Sequence, residues 1–157
     1  MTVVEKWWEK ESPRFECQSD CFKCCTKPGI VYFDNISIKN ASKVTKLSPK
    51  RFKKEFLKRD NGQWIHEVEN GNPFAFLTLD GCSIHFGKPV QCRSYPFWHE
   101  NMTSMNMWKF VSSFCPGIDS GPHIAVATIR NFLKKTNFRV VEFWVVLSTF
   151  NLYSNTV

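Results

Sequence analysis

Four cysteines lie within nine residues near the start of the chain, in the pattern Cys17-x3-Cys21-x2-Cys24-Cys25. Thiolates are soft ligands that select zinc, Cu(I) and iron–sulfur clusters, and a tetrahedral zinc ion takes four of them. Thiols this close in sequence can meet only if the backbone loops around a common point. Because Cys24 and Cys25 are adjacent, we expect their side chains to point in different directions, so that one of them serves a second metal or bridges two.

Three further cysteines follow much later, each close to a loop-forming residue: Cys82 beside Gly81, Cys92 after Pro89, and Cys115 before Pro116. Loops from distant segments can bring such thiols to one site. The total of seven is odd, so a complete set of intrachain disulfides is excluded and a disulfide-rich secreted domain is disfavoured. All seven cysteines are therefore candidate metal ligands. The alternative is that these cysteines are buried or reactive thiols that bind no metal. This alternative is stronger for each of the three later cysteines than for the first four.

The compartment predicted from the sequence is the reducing cytoplasm, where clustered cysteines more often bind metal than form disulfides. The first ten residues lack the apolar core of a secretory signal peptide, and Glu5 and Glu9 argue against a transit peptide. The longest apolar stretch, 140–147, is interrupted by Glu142 and is far shorter than the roughly 20 residues of a membrane helix. An organellar location remains open if the N-terminus is incomplete.

The elements that must position the thiols are short. The sequence has 157 residues, of which 43% are hydrophobic and 15% aromatic, enough for one small core. Patterning predicts helices over 35–47, 49–59 and 122–135, strands over 30–33 and 64–68, a hairpin at Asp80-Gly81, a loop over 87–98 and an amphipathic segment over 108–114. We therefore expect a small, irregular, single α+β domain organised around a cysteine metal site. Its predicted divisions are a lead-in (1–14), the metal-binding domain (15–135) and an apolar extension of unknown role (136–157).

A basic segment is the second unusual feature. The formal net charge is +7, and residues 43–59 hold eight lysines and arginines against one acid, Glu55. Phe52 and Phe56 are four apart, so we expect them to face the core while the cations face water. A solvated helix face is the favoured interpretation, and contact with nucleic acid or a membrane surface is the alternative. No nucleotide-binding, zinc-protease or serine-hydrolase motif occurs, so no catalytic residue is identified.

The cysteine pattern resembles a known family. Phe15-x-Cys17-x3-Cys21-x2-Cys24-Cys25, followed by Cys82-Ser83-Ile84-His85-x3-Pro89-x2-Cys92-Arg93-Ser94-Tyr95-Pro96-Phe97-Trp98, is similar to the YkgJ-type cysteine-cluster (CxxCxxCC) family of zinc- or iron-chelating domains. Trp108 and Phe114-Cys115-Pro116-Gly117-Ile118 resemble its longer cyanobacterial and plant forms, so the resemblance covers about residues 15–118. It implies metal binding by the seven cysteines. The family's biochemical role is mostly unassigned, although some relatives are linked to lysine methylation of flagellin and to an iron–sulfur cluster.

Two departures from the family pattern affect the expected site. The position of a usual family cysteine holds Phe74, and the usual Arg-Pro is Lys88-Pro89. Eight thiols would make two four-ligand sites or one cluster with spare thiols, and seven leave one site a ligand short or with an open coordination position. His85 or His99 could complete it, although a non-ligand role is favoured for both.

Residues that follow Cys92 could influence a bound metal without being ligands to it. Arg93 could donate hydrogen bonds to a thiolate, hold an anionic substrate or form a structural ion pair. Tyr95, Phe97 and Trp98 could shield the site from water, although ordinary core packing is the favoured role.

Three functions follow as hypotheses. The first is a zinc- or iron-binding cysteine-cluster protein, with an iron–sulfur cluster as one form of the cofactor. The second is a metal-dependent enzyme or enzyme component in redox or methylation-type group transfer. The third is a zinc-stabilised adaptor that binds nucleic acid, which is the only partner the sequence suggests.

Overall fold

The computed structural model describes residues 5–18 and 20–136. Six short helices and seven short strands form a small α+β domain, as predicted. The helices are α1 Trp7–Lys10, α2 Asn35–Thr45, α3 Pro49–Phe56, α4 Val90–Ser94, α5 Met105–Ser112 and α6 Val126–Lys135. The strands are β1 Arg14–Phe15, β2 Gly29–Phe33, β3 Lys58–Asp60, β4 Gln63–Val68, β5 Leu77–Thr78, β6 Gly81–Cys82 and β7 Ile118–His123.

The largest sheet has three antiparallel strands in the order β2-β4-β3. The predicted strands at 30–33 and 64–68 are both present and pair with each other, with Phe33 opposite Trp64. The predicted helix over 49–59 is too long, because α3 ends at Phe56 and the chain then forms β3 against β4. Asn61 and Gly62 both have positive φ and form the tight turn that joins β3 to β4. The chain therefore reverses direction here instead of continuing as a helix.

The first hydrophobic core packs α2 and α3 against this sheet and the β5–β6 hairpin. Side chains of Asp34 and Ser48 cap the two helices by accepting hydrogen bonds from the backbone N–H groups of Ser37 and Arg51. The buried members are mostly aromatic and aliphatic: Phe33, Ile38, Ala41, Phe52, Val68, Phe74, Phe76 and Ile84. Val44, which the spacing places in the core, is 37% exposed, and Ser42 is buried instead.

The second hydrophobic core joins the two ends of the described chain. Its buried members are Trp8, Phe97, Met102, Trp108, Val111, Ile118 and Ile129. Strands β1 and β7 pair antiparallel beside it with an irregular register, so residues 118–123 form a bulged strand. The predicted helix over 122–135 therefore begins later, at Val126, because backbone pairing with β1 holds the preceding residues.

Helix α4 lies where the sequence predicts a loop over 87–98. Pro89 precedes its first residue, and the chain leaves it at Tyr95-Pro96, so the two prolines bound the helix instead of preventing it. The described residues include no helix long and apolar enough to cross a membrane. The apolar run after Thr136 lies outside the described residues.

Candidate metal centre

Cys17 and Cys115 are brought together by the pairing of the chain ends. Beyond β1, the backbone N–H of Glu16 donates to the carbonyl oxygen of Gly117 at 3.0 Å. A Cβ atom at Gly117 would lie 2.5 Å from the carbonyl oxygen of Glu16, so only glycine allows this approach. The loop that carries Cys115 is thus held against the segment that carries Cys17.

Cys24 and Cys25 lie in a 3₁₀ turn over Lys23–Cys25. Their sulfurs are 3.9 Å apart and in hydrogen-bond contact. The expectation that adjacent thiols point in different directions is therefore wrong, because the turn directs both side chains toward one side. Two sulfurs on one tetrahedral zinc ion lie about 3.8 Å apart, given zinc–sulfur bonds of about 2.3 Å, so this pair has a spacing suited to sharing an ion or bridging two.

Cys82 and Cys92 come from elements that flank the first core. Cys82 pairs with Leu77 in the β5–β6 hairpin, and Cys92 lies on α4. Gln91 holds α4 against β2, because its side-chain amide donates to the carbonyl oxygen of Ile30 and accepts from the N–H of Tyr32. Sequence reasoning missed this positioning role, for which the only signal is the neighbouring cysteine.

Five of the thiols line one pocket, and four of these belong to the loops beside the paired strands β1 and β7. We call Cys17, Cys21, Cys24 and Cys115 the four-thiol group. The charge of Cys24 acts on both Cys17 and Cys115, as does that of Cys21. The same pocket is lined by Cys92, Lys88 and Tyr95.

The remaining thiols, Cys25, Cys82 and Cys92, form what we call the three-thiol group. The charges of Cys82 and Cys92 both act on Cys25. Cys25 and Cys82 also pack against the first hydrophobic core. The two groups meet at the contact between Cys24 and Cys25.

Phe74 lies directly beside the three-thiol group. Its backbone N–H donates to the carbonyl oxygen of Cys25 at 2.9 Å, and its ring is buried edge-on against Phe76. The ring also lines a second pocket together with Cys24, Cys25 and Cys92. A thiol at this position would therefore stand next to the three-thiol group, whereas the phenylalanine extends the aromatic core.

This second pocket, which we call the apolar pocket, shares part of its wall with the first. Lys23, Cys24, Cys92, Tyr95 and Phe114 line both. Its other walls are largely aliphatic and aromatic, including Ile30, Val31, Val68, Phe74 and Trp98. Tyr95 and Trp98 therefore lie at the pockets, while Phe97 is buried in the second core, as the packing role predicts.

Without a metal, most thiols of the centre are held protonated. Burial raises the pKa of Cys92 to about 12, and desolvation also raises the pKa of Cys17, Cys82 and Cys115. The hydrogen bond between Cys24 and Cys25 raises the pKa of Cys24 and lowers that of Cys25. An incoming cation must therefore displace protons from the thiols it binds.

Lys88 acts on thiols of both groups. Its charge lowers the pKa of Cys17, Cys24, Cys82 and Cys92 against larger effects that raise it, and acts on Cys25 in the same direction as the hydrogen bond with Cys24. The sequence draws attention to this residue only as a departure from the family pattern. Lys23 is a second cation at the thiols, since it lines both pockets.

The two histidines and Arg93 lie away from both pockets. His85 packs edge-on against Phe86, and the Nε2 of His99 is 2.9 Å from the carbonyl oxygen of Leu133, to which it donates. Arg93 is exposed and has no acidic partner among residues 5–18 and 20–136. Its charge slightly favours the thiolate of the neighbouring Cys92.

The donor set of the centre fits zinc or iron. Soft thiolates are the preferred ligands of zinc and of iron–sulfur clusters, and the four-thiol group supplies the number a tetrahedral ion needs. Within the described part of the chain, no three histidine, cysteine, aspartate or glutamate side chains stand close enough to hold an ion as they are placed. An ion held by the four-thiol group would need these thiols to lie closer together than they do here.

The comparisons with known proteins agree with this donor set. No solved structure matches the chain. A family model matches residues 16–116, nearly two thirds of the sequence, and these residues include all seven cysteines. The chain therefore belongs to the CxxCxxCC family, whose description is a putative zinc- or iron-chelating domain.

Proposed function

We propose that this protein binds one zinc or iron ion through its four-thiol group, Cys17, Cys21, Cys24 and Cys115. The observation that carries the proposal is the convergence of these thiols, from both ends of the domain, on the walls of one pocket. The ion supplies the positive charge that keeps buried thiolates deprotonated. Lys88 adds a positive charge to the same pocket, and Tyr95 lines its wall.

The three-thiol group supports a second, incomplete site. Cys25, Cys82 and Cys92 offer three ligands, and Phe74 occupies the place beside Cys25 where the family pattern has a cysteine. Three thiolates would bind an ion more weakly than four and would leave one coordination position open. Because Cys24 and Cys25 are in contact, thiols of both groups could bind one iron–sulfur cluster. This form of the cofactor should therefore be tested as well. Free thiols favour a reducing location such as the cytoplasm.

The proposal is tested by purifying the protein with and without oxygen and measuring zinc, iron and acid-labile sulfide, together with an absorption spectrum. We expect about one tightly held ion per chain, in keeping with one complete four-ligand set. Colourless protein with zinc supports a zinc site, and sulfur-to-iron charge-transfer bands with sulfide support a cluster. Absence of stoichiometric metal from both preparations would refute metal binding.

The apolar pocket favours a second candidate function, a metal-dependent enzyme or enzyme component in redox or methylation-type group transfer. It shares Cys24 and Cys92 with the thiol-lined pocket, so a small apolar molecule held there would lie next to the metal ligands. An open coordination position at the three-thiol group would let such a molecule reach the ion. Tight, colourless zinc with no iron spectrum under anaerobic conditions would count strongly against the redox form of this candidate.

A further inference from the structure

The positive charge of the chain is concentrated in one short stretch. Between Lys39 and Asp60 there are nine lysines and arginines and two acids, a net charge of +7. The whole chain also has a net charge of +7, so the positive and negative charges of its other residues cancel. The stretch lies outside the metal centre, and the proposed metal binding does not explain it.

The fold turns this stretch into one surface. Lys39 and Lys43 are one turn apart on the exposed side of α2, and Lys50 and Lys54 are one turn apart on the exposed side of α3. The two helices pack against each other, and β3 is an exposed edge strand of the main sheet. We call the cations of α2, α3 and β3 the basic surface: Lys39, Lys43, Lys46, Lys50, Arg51, Lys53, Lys54, Lys58 and Arg59.

Few acids neutralise the basic surface. Arg51 pairs with Glu55 and Lys58 pairs with Glu67. The other seven cations have no ion-pair partner in the part of the chain that the structure describes. The charge is therefore available to an external anion.

Trp64 holds two of these cations in place. The Nζ of Lys53 and the guanidinium carbon of Arg59 each lie 5.0 Å from the centroid of its ring. A cation–π contact restricts the side chain without using its N–H donors. Cations from α3 and β3 are thus fixed on one aromatic ring with their donors still free for anionic oxygens.

The side chains of the basic surface indicate which kind of partner it fits: a membrane, a protein or nucleic acid. Six of the nine cations lie on α3 and β3, where none of the described large apolar side chains is exposed; the two exposed on α2, Ile36 and Val44, lie beside the lysines of that helix only. Surfaces that insert into a membrane or dock a protein partner usually combine charge with such side chains. Contacts to the nucleic-acid backbone need only cations spaced along repeating phosphates. We infer that the basic surface binds the phosphate backbone of nucleic acid without regard to sequence.

The experiment uses metal-loaded full-length protein and fluorescently labelled duplex DNA, duplex RNA and single-stranded RNA of about 20 nucleotides, with anisotropy read at several salt concentrations. We expect the logarithm of the association constant to fall with the logarithm of the salt concentration. The slope should be about −3, as for three or four phosphate contacts. The three nucleic acids identify which backbone is preferred. Failure of all three to bind at about 50 mM salt, or binding insensitive to salt, would overturn the inference.

A charge-matched pair of variants separates the surface from the net charge. Lys50→Glu/Lys54→Glu/Arg59→Glu should weaken binding more than about 30-fold at low salt, because it reverses three charges on the basic surface. Lys109→Glu/Lys134→Glu/Lys135→Glu changes the net charge equally on exposed residues of α5 and α6, and should weaken binding less than about threefold. Equal losses in both would overturn the inference, as would tighter wild-type binding to vesicles containing phosphatidylserine. Circular dichroism and metal content confirm that both variants remain folded.

Discussion

The two thiol groups meet at one pair of sulfurs but have different surroundings. The four-thiol group lies on loops at the paired chain ends and lines a pocket with Lys88. The three-thiol group lies against the first aromatic core, with Phe74 beside Cys25. On the proposed assignment, the site on the loops has four ligands, whereas the site against the core lacks the ligand whose place the ring of Phe74 fills. The predictions below test this difference, beginning with the largest expected effect.

Loss of one thiol from the four-thiol group should abolish stoichiometric metal binding. In Cys24→Ser or Cys21→Ser we expect metal content to fall severalfold and the Tm to fall by more than about 10 °C, because binding energy in small metal sites is folding energy. The measurements are elemental analysis and thermal melts. Cys82→Ser, from the three-thiol group, is the control and should keep its metal. Unchanged metal content and Tm in both Cys21→Ser and Cys24→Ser would refute the assignment.

Restoring the family cysteine should complete the second site. Phe74→Cys is expected to bind a second equivalent of zinc, although loss of the buried ring should destabilise the metal-free protein by about 3 kcal/mol. Phe76→Cys is the matched control, since Phe76 is equally buried in the same core but lines neither pocket. It should lose similar stability without gaining metal. A second equivalent in both variants, or in neither, contradicts the proposed role of Phe74.

Metal-free protein should lose stability as the pH rises. Because burial raises the pKa of Cys92 to about 12, above the value of about 8.5 in an unfolded chain, the folded state keeps a proton that the unfolded state releases. This stabilisation is complete below about pH 8 and should fall by about 2 kcal/mol by pH 10 from Cys92 alone. Denaturant titrations with chelator present measure it. Zinc-loaded protein should show the same fall from Cys92, because this thiol is outside the four-thiol group, and its metal affinity should drop on acidification.

Separating the two loops of the four-thiol group should weaken metal binding more modestly. Gly117→Ala places a Cβ atom against the carbonyl oxygen of Glu16, so we expect zinc affinity to fall by about tenfold as Cys115 moves away from Cys17. Competition with a chromophoric chelator measures the affinity. Gly71→Ala strains a positive-φ position far from any neighbour and should lower the Tm without changing zinc affinity. Equal affinities in the two variants would show that the loop contact does not position the thiols.

Local signals in the sequence predicted the elements with strong caps or turns. Ser48-Pro49 marked the start of α3, and the alternating run after Gly62 marked β4. The errors occurred where distant pairing decides: β3 replaced the end of a helix, and β7 replaced the start of another. The local spacing of apolar residues does not show that these segments pair with β4 and β1. Helix α4 was missed because its two flanking prolines also fit a loop.

The candidate ligands were predictable from residue type and spacing, but their division into two groups was not. All seven cysteines stood out in the sequence, and Phe74 was recognised as the departure. Which thiols share a pocket depends on the contact between the Glu16 and Gly117 backbones and on Gln91, which bonds to β2. These are long-range contacts of ordinary residues, for which a single sequence has no local signal.

The pairing of β1 with β7 sets an order of events during synthesis. Cys17, Cys21, Cys24 and Cys25 leave the ribosome early, whereas Cys115 emerges only after most of the domain has been made. On the proposed assignment, Cys17, Cys21 and Cys24 then wait for the last ligand of the four-thiol group. Cys115 lies just before β7, so the pairing of β7 with β1 brings this thiol to the others and couples completion of the proposed site to a late step of folding.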